Sequence, residues 1–351
     1  MSPRSPIAVG VSLAALAAVA FGATTPVVAW AGRGLGAFTT AALLYAGAGA
    51  SSLALHLFSG RGDASLRRGD APRVFLVAVV GGAIAPTLLA WGLQRAGATI
   101  GALLLNLEAV FTVLLARAFH REPIGGRVAV AVAAMVAGGA ALTLDAGGGA
   151  GWGASRWGAL AIAAATAAWA LDNTLTRPLS ERDPLEVVTA KGALGAAFTG
   201  AIAIARAEPV PSVAATAALL ACGATGYGLS LRLYLLAQRR IGAGRTGSVF
   251  ALAPFVGAAL ATAIGDRIGG AWTAVAAALF AVGVYLHAAE RHGHGHVHEP
   301  VEHEHPHRHN DGHHDHVHEP AVVGEHTHRH HHGRLEHAHD HAPDIHHQHE
   351  H

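Results

Sequence analysis

The apolar residues of this chain fall into ten segments, which divide into two runs of five. Each segment has roughly 16 to 25 residues, close to the roughly 20 that a helix needs to cross about 30 Å of hydrocarbon. Hydrophobic residues make up 52% of the chain and charged residues 13%, and the charges collect between the segments and in the C-terminal tail. A soluble fold does not sort its charges in this way. We therefore expect transmembrane helices at residues 7–30, 38–58, 74–93, 98–119, 128–144, 158–176, 185–205, 212–236, 247–264 and 272–287.

The number of segments in each run constrains the fold further. Because each run holds an odd number, the second run must enter the membrane upside down relative to the first. Inverted repeats place a substrate pathway at their interface near the bilayer midplane, which is typical of secondary transporters. The sequence thus predicts an all-α integral membrane protein with ten transmembrane helices in two inverted five-helix repeats. We expect these repeats at residues 1–144 and 158–288, a linker at 145–157 and a tail at 289–351.

Arginine placement predicts the orientation. If the N-terminus is inside, the cytoplasmic gaps hold more arginines than the opposite gaps, and this asymmetry places both termini in the cytoplasm. The strong preference for arginine over lysine, with heavy use of Ala and Gly, is compatible with a GC-rich bacterium, and hence with its inner membrane. The first segment is longer than the apolar core of about 7 to 15 residues in a signal peptide, so we expect it to be retained.

The two runs also match in sequence. Residues 97–127, GATIGALLLNLEAVFTVLLARAFHREPIGGR, can be laid over residues 242–272, GAGRTGSVFALAPFVGAALATAIGDRIGGAW. Both copies share a small-residue start, an apolar helix and a short charged turn that ends in Gly-Gly. The order of these features is the same in the two copies, which indicates an internal duplication.

The string NLEAVFTVLLA, with its charged turn at Arg121-Glu122 and the glycine-rich helix that follows, resembles the EamA-type repeat of the drug/metabolite transporter superfamily. So does FALAPFVGAALA in the second half. The resemblance covers residues 7–288. It implies a ten-helix basket with a central cavity, which works by alternating access without ATP hydrolysis. The chain agrees with this, since it has one lysine and no Gly-x-x-x-x-Gly-Lys-Ser/Thr phosphate loop.

Ionisable side chains inside the segments are candidate site residues, because each costs about 2.5 to 3.5 kcal/mol to insert and needs a partner or a task. Glu108 lies near the centre of the fourth segment, two residues after Asn106. One interpretation is a site that takes up a cation or a proton during transport. The other is a protonated glutamate that hydrogen-bonds to the helix backbone or to Asn106.

Asp172 in the sixth segment and Lys191 in the seventh lie equally far from the turn near Arg182 that joins the two segments. Antiparallel neighbours place them at similar depth, so we expect an ion pair. The pair is either a structural clip or a gate, which opens when Asp172 is protonated or when a cationic substrate replaces Lys191. Asn173 adds a polar group to either version.

Three prolines inside the segments and one histidine near the end of a segment complete the candidates. Pro26, Pro86 and Pro254 lie inside the first, third and ninth segments, where each frees a backbone carbonyl and kinks its helix. We include Pro26 and Pro254 in the expected substrate pathway. His56 lies close to the cytoplasmic end of the second segment, and we expect its ring to extend to the membrane interface.

Composition changes abruptly after the tenth segment. Residues 290–351 contain 24 histidines, 12 carboxylates and four arginines. Such a tail cannot bury a core, so we expect it to be disordered without ligand. Neutral imidazole binds Zn, Ni, Co and Cu(II), whereas Mg and Ca prefer oxygen ligands. We expect metal to be held by histidines of the mostly alternating runs: His292, His294, His296, His298, His303, His305, His307, His309, His313, His314, His316, His318, His326, His328, His330, His337, His339 and His341.

The tail also has interpretations without metal. With neutral histidines its carboxylates outnumber its arginines, so it could fold back on basic cytoplasmic loops. Its imidazoles also gain protons below about pH 6.5, so it could respond to acidity.

Three functions remain open from the sequence. The first is a permease or exporter of a small solute whose tail binds divalent metal, with no cofactor needed for transport. The second is a permease or exporter of a divalent metal such as Ni, Co or Zn, and the third is a membrane-anchored metal sensor or store. The expected partners are the lipid bilayer and a small-molecule or metal-ion substrate, and a homodimer is left open. Enzyme activity is not expected, since no nucleophile, base and orienting partner are recognisable together, and no basic patch predicts nucleic-acid binding.

Overall fold

The computed structural model describes residues 6–58, 64–120, 124–145, 152–179, 182–266 and 270–288, together with four short segments of the tail. Within these residues the main body is a bundle of ten helices. Seven are long and apolar enough to cross a membrane by length and composition, and two more contain shorter apolar stretches. The helices are α1 (Ile7–Ala31), α2 (Ala37–Phe58), α3 (Arg68–Ala96), α4 (Ala98–Phe119), α5 (Gly126–Asp145), α6 (Trp152–Thr176), α7 (Pro184–Ala205), α8 (Val213–Gln238), α9 (Arg245–Ala263) and α10 (Ala271–Ala288). The predicted ten-helix all-α membrane fold is confirmed.

The surface of the bundle suits a membrane. Large apolar side chains point outward along the helices, including Ile204 and Val282. Exposed aromatic side chains gather near helix ends, at Phe58, Phe119 and Trp157, where amphipathic or bulky rings commonly lie at the two interfaces. The interior is built mainly from Ala, Gly and Leu, so neighbouring helices approach closely.

Turns break three of the helices. The helical hydrogen bonding of α1 breaks at Ala23, that of α4 at Leu105–Asn106, and that of α9 at Ala251–Leu252. Pro26 and Pro254 each lie in the first turn of the half-helix that follows the break. Proline is tolerated there because its missing N–H would have no intrahelical acceptor. These two prolines therefore sit beside real discontinuities, as the sequence predicts.

The two repeats share unusual backbone features at matching positions. A π-helical segment interrupts α3 at Ala78–Ile84, and another interrupts α8 at Gly223–Leu229. A glycine with positive φ follows each π-helical segment at the same spacing and separates its helix from the next one. Gly97 has φ 86° and ψ 165°, and Gly242 has φ 80° and ψ 163°. Only glycine adopts this conformation readily. The structure thus supports the alignment of Gly97 with Gly242 made from sequence.

The repeats meet closely where α2 crosses α7. A Cβ added at Gly192 would lie 2.7 Å from the backbone of Gly49. A second close contact joins α1 to α9, where a Cβ at Gly22 would lie 2.5 Å from the carbonyl oxygen of Ala253. Because neither crossing has space for a side chain, small residues set the distance between the repeats.

After ten crossings the chain returns to the side of the bundle on which it began. We call this side the terminal face: it holds the start of α1, the end of α10, the α2–α3 connection and the start of α7. The opposite face holds the ends of α1 and α9.

The described parts of the tail form four strands: β1 (His292–His298), β2 (Val301–His307), β3 (His326–His332) and β4 (Leu335–His341). β1 pairs antiparallel with β4, and β2 pairs antiparallel with β3. The two-residue period of the histidines matches the period of a strand. In both ladders the register places histidine opposite histidine, as in His294 with His339 and His305 with His328.

Candidate functional site

An ion pair lies inside the helical bundle, between Asp172 of α6 and Lys191 of α7. The ammonium group of Lys191 donates to Oδ2 of Asp172. The Asp172 side chain is 3% exposed and that of Lys191 is 16% exposed. The pairing expected from their equal distance to the connecting turn is therefore present, and it neutralises both groups inside the membrane.

The π-helical segment of α3 forms the floor beneath this pair. The carboxylate of Asp172 lies directly over Gly81, where a Cβ would overlap it. The neighbouring Gly82 faces Lys191, and a Cβ there would lie 3.4 Å from Cγ of that lysine. Two consecutive glycines therefore let a charged pair from the second repeat rest on the backbone of the first repeat.

The carbonyl group of Gly81 is an acceptor for side chains of two other helices. Just beyond it, Ala85 donates in π-helical fashion to the carbonyl of Val80, and the corresponding donor for Gly81 would be residue 86, which is a proline without an N–H. The Gly81 carbonyl instead accepts from the Tyr45 hydroxyl, and Trp169 Nε1 donates to it over 3.2 Å. Pro86 therefore frees a carbonyl, as predicted, and the aromatic side chains use it.

Glu108 makes its hydrogen bond across the repeats. Its Oε1 accepts from Nδ2 of Asn173 over 2.8 Å. The alternative in which Glu108 bonds to Asn106 is wrong, because Asn106 is buried at the break in α4 and donates to the carbonyl of Leu103 over 2.9 Å. Glu108 is partly exposed and Asn173 is exposed. A partly exposed carboxylate and an exposed amide at membrane depth are stable where they line a hydrated cleft.

An aromatic cluster adjoins these polar groups. Tyr227 lies in the π-helical segment of α8, with its ring centroid 5.7 Å from those of both Phe21 and Tyr45. The Trp169 ring is 6.5 Å away, and Phe250 packs 5.5 Å from Phe21. Rings from α1, α2, α6, α8 and α9 thus converge from both repeats. They offer apolar faces next to a small number of polar atoms, which is the usual composition of a small-molecule site.

Pro26 belongs to a different region from Glu108 and Asp172. It lines a cavity of about 360 Å³ at the opposite face, together with Trp30, Arg33 and Asp266. Asp266 also accepts from the backbone N–H of Thr99 over 2.7 Å and so caps α4. Of the predicted pathway residues, the structure therefore brings together Glu108 and Asn173 and also Asp172 and Lys191, while Pro26 lies at an outer mouth between α1, α4 and α9.

The sequence predicted that the His56 ring extends to the membrane interface, but in the structure it does not extend freely. It contacts Asp183 and Glu186, at the start of α7. The sequence carried no sign of this, since His56 lies far along the chain from Asp183 and Glu186. Tyr45, Gly81 and Tyr227 were also not recognised as site residues, although the spacing from Gly81 to Pro86 could have indicated a free carbonyl.

The predicted metal ligands of the tail fall into two groups. His292, His294, His296, His298, His303, His305, His307, His326, His328, His330, His337, His339 and His341 lie in the four strands. The remaining predicted ligands lie outside the described residues: His309, His313, His314, His316 and His318.

Comparison with known proteins identifies the repeats. The model of the EamA-like transporter family matches the chain twice, at residues 8–144 and 156–288. A protein of known crystal structure is 22% identical and aligns over 82% of this chain and 96% of its own, with a TM-score of 0.57. At that identity the likeness concerns the fold alone. No curated protein matches the chain at the significance applied.

Proposed function

Because the chain belongs to the EamA-like transporter family, we propose that it is a secondary permease that moves a small solute by alternating access between two inverted repeats. The first repeat comprises residues 1–144 and the second residues 158–288. The observation that carries this proposal is the intramembrane polar cluster, since its contacts join one repeat to the other. The ion pair of Asp172 and Lys191 rests on Gly81, and Asn173 bonds to Glu108.

The cluster supports a mechanism in which one repeat moves against the other. The hydrogen bond between Asn173 and Glu108 is not rigidly enclosed, because both groups are at least partly exposed. A polar solute that reaches them can replace the bond with its own donor or acceptor. The rings of Tyr45, Trp169 and Tyr227 then provide apolar contact for the rest of the solute. The breaks in α1, α4 and α9 lie next in sequence to Phe21, Glu108 and Phe250, and other transporters also have discontinuous helices at their substrate sites.

Two charged positions have distinct roles in the proposal. Glu108 is the group that exchanges a proton or cation, because its only side-chain partner within the described residues is a neutral amide. Asp172 and Lys191 form the switch, because their pair opens only when a proton or a cationic group takes the place of one partner. No cofactor is required for either step.

The orientation and tail complete the proposal. The terminal face is cytoplasmic and the membrane is the bacterial inner membrane, with the tail binding Zn, Ni, Co or Cu(II) next to the permease. Reporter fusions after Trp30, Asp63 and His287 test the orientation. The fusion after Trp30 should report the periplasm and the other two the cytoplasm, and a periplasmic signal from the last fusion contradicts the orientation.

A second candidate function has one observation in its favour. The tail holds 24 histidines, so the substrate itself would be a divalent metal, which passes Glu108 and the Asp172 region. A third function, a membrane-anchored metal sensor or store, would use the same tail without flux through the helices. Flux assays with organic solutes and with metals separate the three.

The central experiment is counterflow in proteoliposomes, screened with organic solutes and with Zn²⁺, Ni²⁺ and Co²⁺. The proposal expects flux of one organic solute. Glu108→Gln should slow flux driven by a proton or cation gradient much more than exchange of the same solute with equal pH on both sides of the membrane. Gly126→Ala is a suitable control, because a Cβ at Gly126 meets no neighbour within 4 Å. Flux of metal alone would favour the second function, and absence of any flux would favour the third.

A further inference from the structure

Three side chains from both repeats meet at the terminal face: His56 near the end of α2, and Asp183 and Glu186 at the start of α7. His56 Nδ1 lies 2.8 Å from Asp183 Oδ2, and His56 Nε2 lies 3.6 Å from Glu186 Oε1. Ligand atoms from the three residues all lie within 4.8 Å of one another. Their side chains are 20%, 13% and 23% exposed, so ions in water can reach them.

Both carboxylates are held in place by other contacts. Asp183 Oδ1 accepts from the backbone N–H of Leu185 over 2.8 Å, which leaves Oδ2 facing His56. Glu186 Oε2 accepts from the backbone N–H of Leu66 over 2.7 Å, while Oε1 accepts from the Ser65 hydroxyl over 3.0 Å. Outer hydrogen bonds of this kind orient ligands in metal sites and reduce the entropy lost when an ion binds.

The connecting loops around the cluster are also fixed. The backbone N–H of Asp183 donates to the carbonyl of Ala64 over 2.8 Å. Nearby, Arg182 Nε donates to Asp70 Oδ2 over 2.8 Å. Arg182, which precedes Asp183 in sequence, is therefore already paired with Asp70.

The donor atoms of the cluster suit a cation. A neutral imidazole carries one N–H, so it can donate to one carboxylate while its other nitrogen presents a lone pair to the second. Protonation of His56 would satisfy both carboxylates, and so would a divalent ion. One imidazole nitrogen and two carboxylate oxygens form a donor set that Zn²⁺ accepts at roughly 2.0 to 2.2 Å. The two negative charges match the charge of the ion, and the imidazole disfavours Mg²⁺.

The tail emerges on the same side of the bundle. The last helix ends at Ala288 on the terminal face, and the 24 histidines follow it in sequence. Metal bound to these histidines is therefore concentrated next to the cluster. Water can take the fourth position of a tetrahedral ion at the cluster itself.

We propose that His56, Asp183 and Glu186 form a divalent-metal site, distinct from the tail, that ties the first repeat to the second across the terminal face. His56 belongs to the first repeat and the two carboxylates to the second, so one ion bridges the elements that must separate for this face to open. The binding itself does not depend on which solute is transported.

Thermal unfolding of the full-length protein in detergent tests the site, with ZnCl₂ or MgCl₂ added at neutral pH. Zinc at about 100 times its dissociation constant should raise the Tm of the wild type by about 5 °C, and magnesium should not. His56→Gln, Asp183→Asn and Glu186→Gln should each lose most of this rise. The two amide variants keep oxygen acceptors for the backbone donors, so they preserve the fold while weakening the ligand.

Two controls separate this site from its surroundings. Asp70→Asn breaks the neighbouring pair with Arg182 but removes no ligand, so it should lower the Tm without zinc and keep the zinc-dependent rise. Replacement of the strand histidines of β1 and β4 by serine should leave most of the rise intact. The proposal is overturned if zinc stabilises His56→Gln as much as the wild type, if the rise disappears only with the tail histidines, or if the wild type responds to acidification and not to zinc. None of these results depends on the solute assay.

Discussion

Replacement of Asp172 or of Lys191 by a neutral residue should lower the stability of the protein by unequal amounts. Lys191→Met leaves Asp172 charged, only 3% exposed, and pressed against Gly81. Removing one partner of a buried pair costs about 3 to 5 kcal/mol, and a short side chain in this place cannot reach water. Asp172→Asn leaves Lys191, whose 16% exposed side chain has a long flexible stem. Because that stem can carry the charge toward the interface, we expect a smaller loss of about 2 to 3 kcal/mol.

The double variant should recover most of the combined loss. Asn and Met are neutral and similar in volume to the native residues, and replacement of a whole buried pair by neutral groups is often tolerated. We expect a coupling energy of about 3 kcal/mol, which a double-mutant cycle isolates because the two residues are in direct contact. Unfolding in mixed micelles with increasing SDS, followed by tryptophan fluorescence, measures each variant. The pair of Asp70 and Arg182 at the terminal face is the comparison pair, and its coupling should be smaller than that of the intramembrane pair because it lies outside the membrane.

Two results would refute this reasoning. Additive losses for Asp172→Asn and Lys191→Met would mean that the two charges do not stabilise each other in the membrane. A larger loss for Asp172→Asn than for Lys191→Met would mean that access to water does not decide the cost. In the first case the ion pair could not serve as the proposed switch.

Further predictions concern the remaining parts of the molecule. Asn173→Ala should lower the rate of solute flux severalfold and change the free energy of unfolding by no more than about 1 kcal/mol, because the Asn173 amide bonds to Glu108 from an exposed position. An unchanged rate of flux in vesicles would contradict a role for this bond. Gly81→Ala should displace the carboxylate that lies over it and reproduce the transport defect of an aspartate variant without a change in charge, whereas Gly69→Ala, in open space, should be neutral in the same flux assay. Removal of residues 290–351 should abolish most multi-site Zn²⁺ binding in calorimetry but leave solute flux in place, and loss of flux with the tail would argue against a separate permease domain.

Sequence patterns predicted the helices and their order because insertion into lipid constrains consecutive residues of the chain. A helix in hydrocarbon must be apolar along its whole length, and this leaves a continuous signal in the chain. The internal duplication was also readable, since Gly97 and Gly242 must be glycine to adopt the same positive φ in both repeats. The pairing of Asp172 with Lys191 followed from their symmetric positions about one turn.

Other parts of the site depend on packing that no local pattern records. Asn106 was a plausible partner for Glu108 by spacing, but the break in α4 turns its amide to Leu103. The π-helical segments differ from α-helix only in which carbonyl each N–H selects, and that choice depends on contacts with the other repeat. His56 meets Asp183 only because the α2–α3 connection lies beside the start of α7.

The ion pair has a consequence for chemical labelling, because Lys191 is the only lysine of the chain. An amine-reactive probe can therefore label only the N-terminal amine and the Lys191 side chain, whose ammonium group is bound to Asp172. A reagent that attacks neutral amines is therefore excluded while the pair is closed, and it reacts when the pair opens. The protein thus carries its own reporter for the opening of this pair, and its rate of acylation at a single residue can be followed by mass spectrometry without any engineered cysteine.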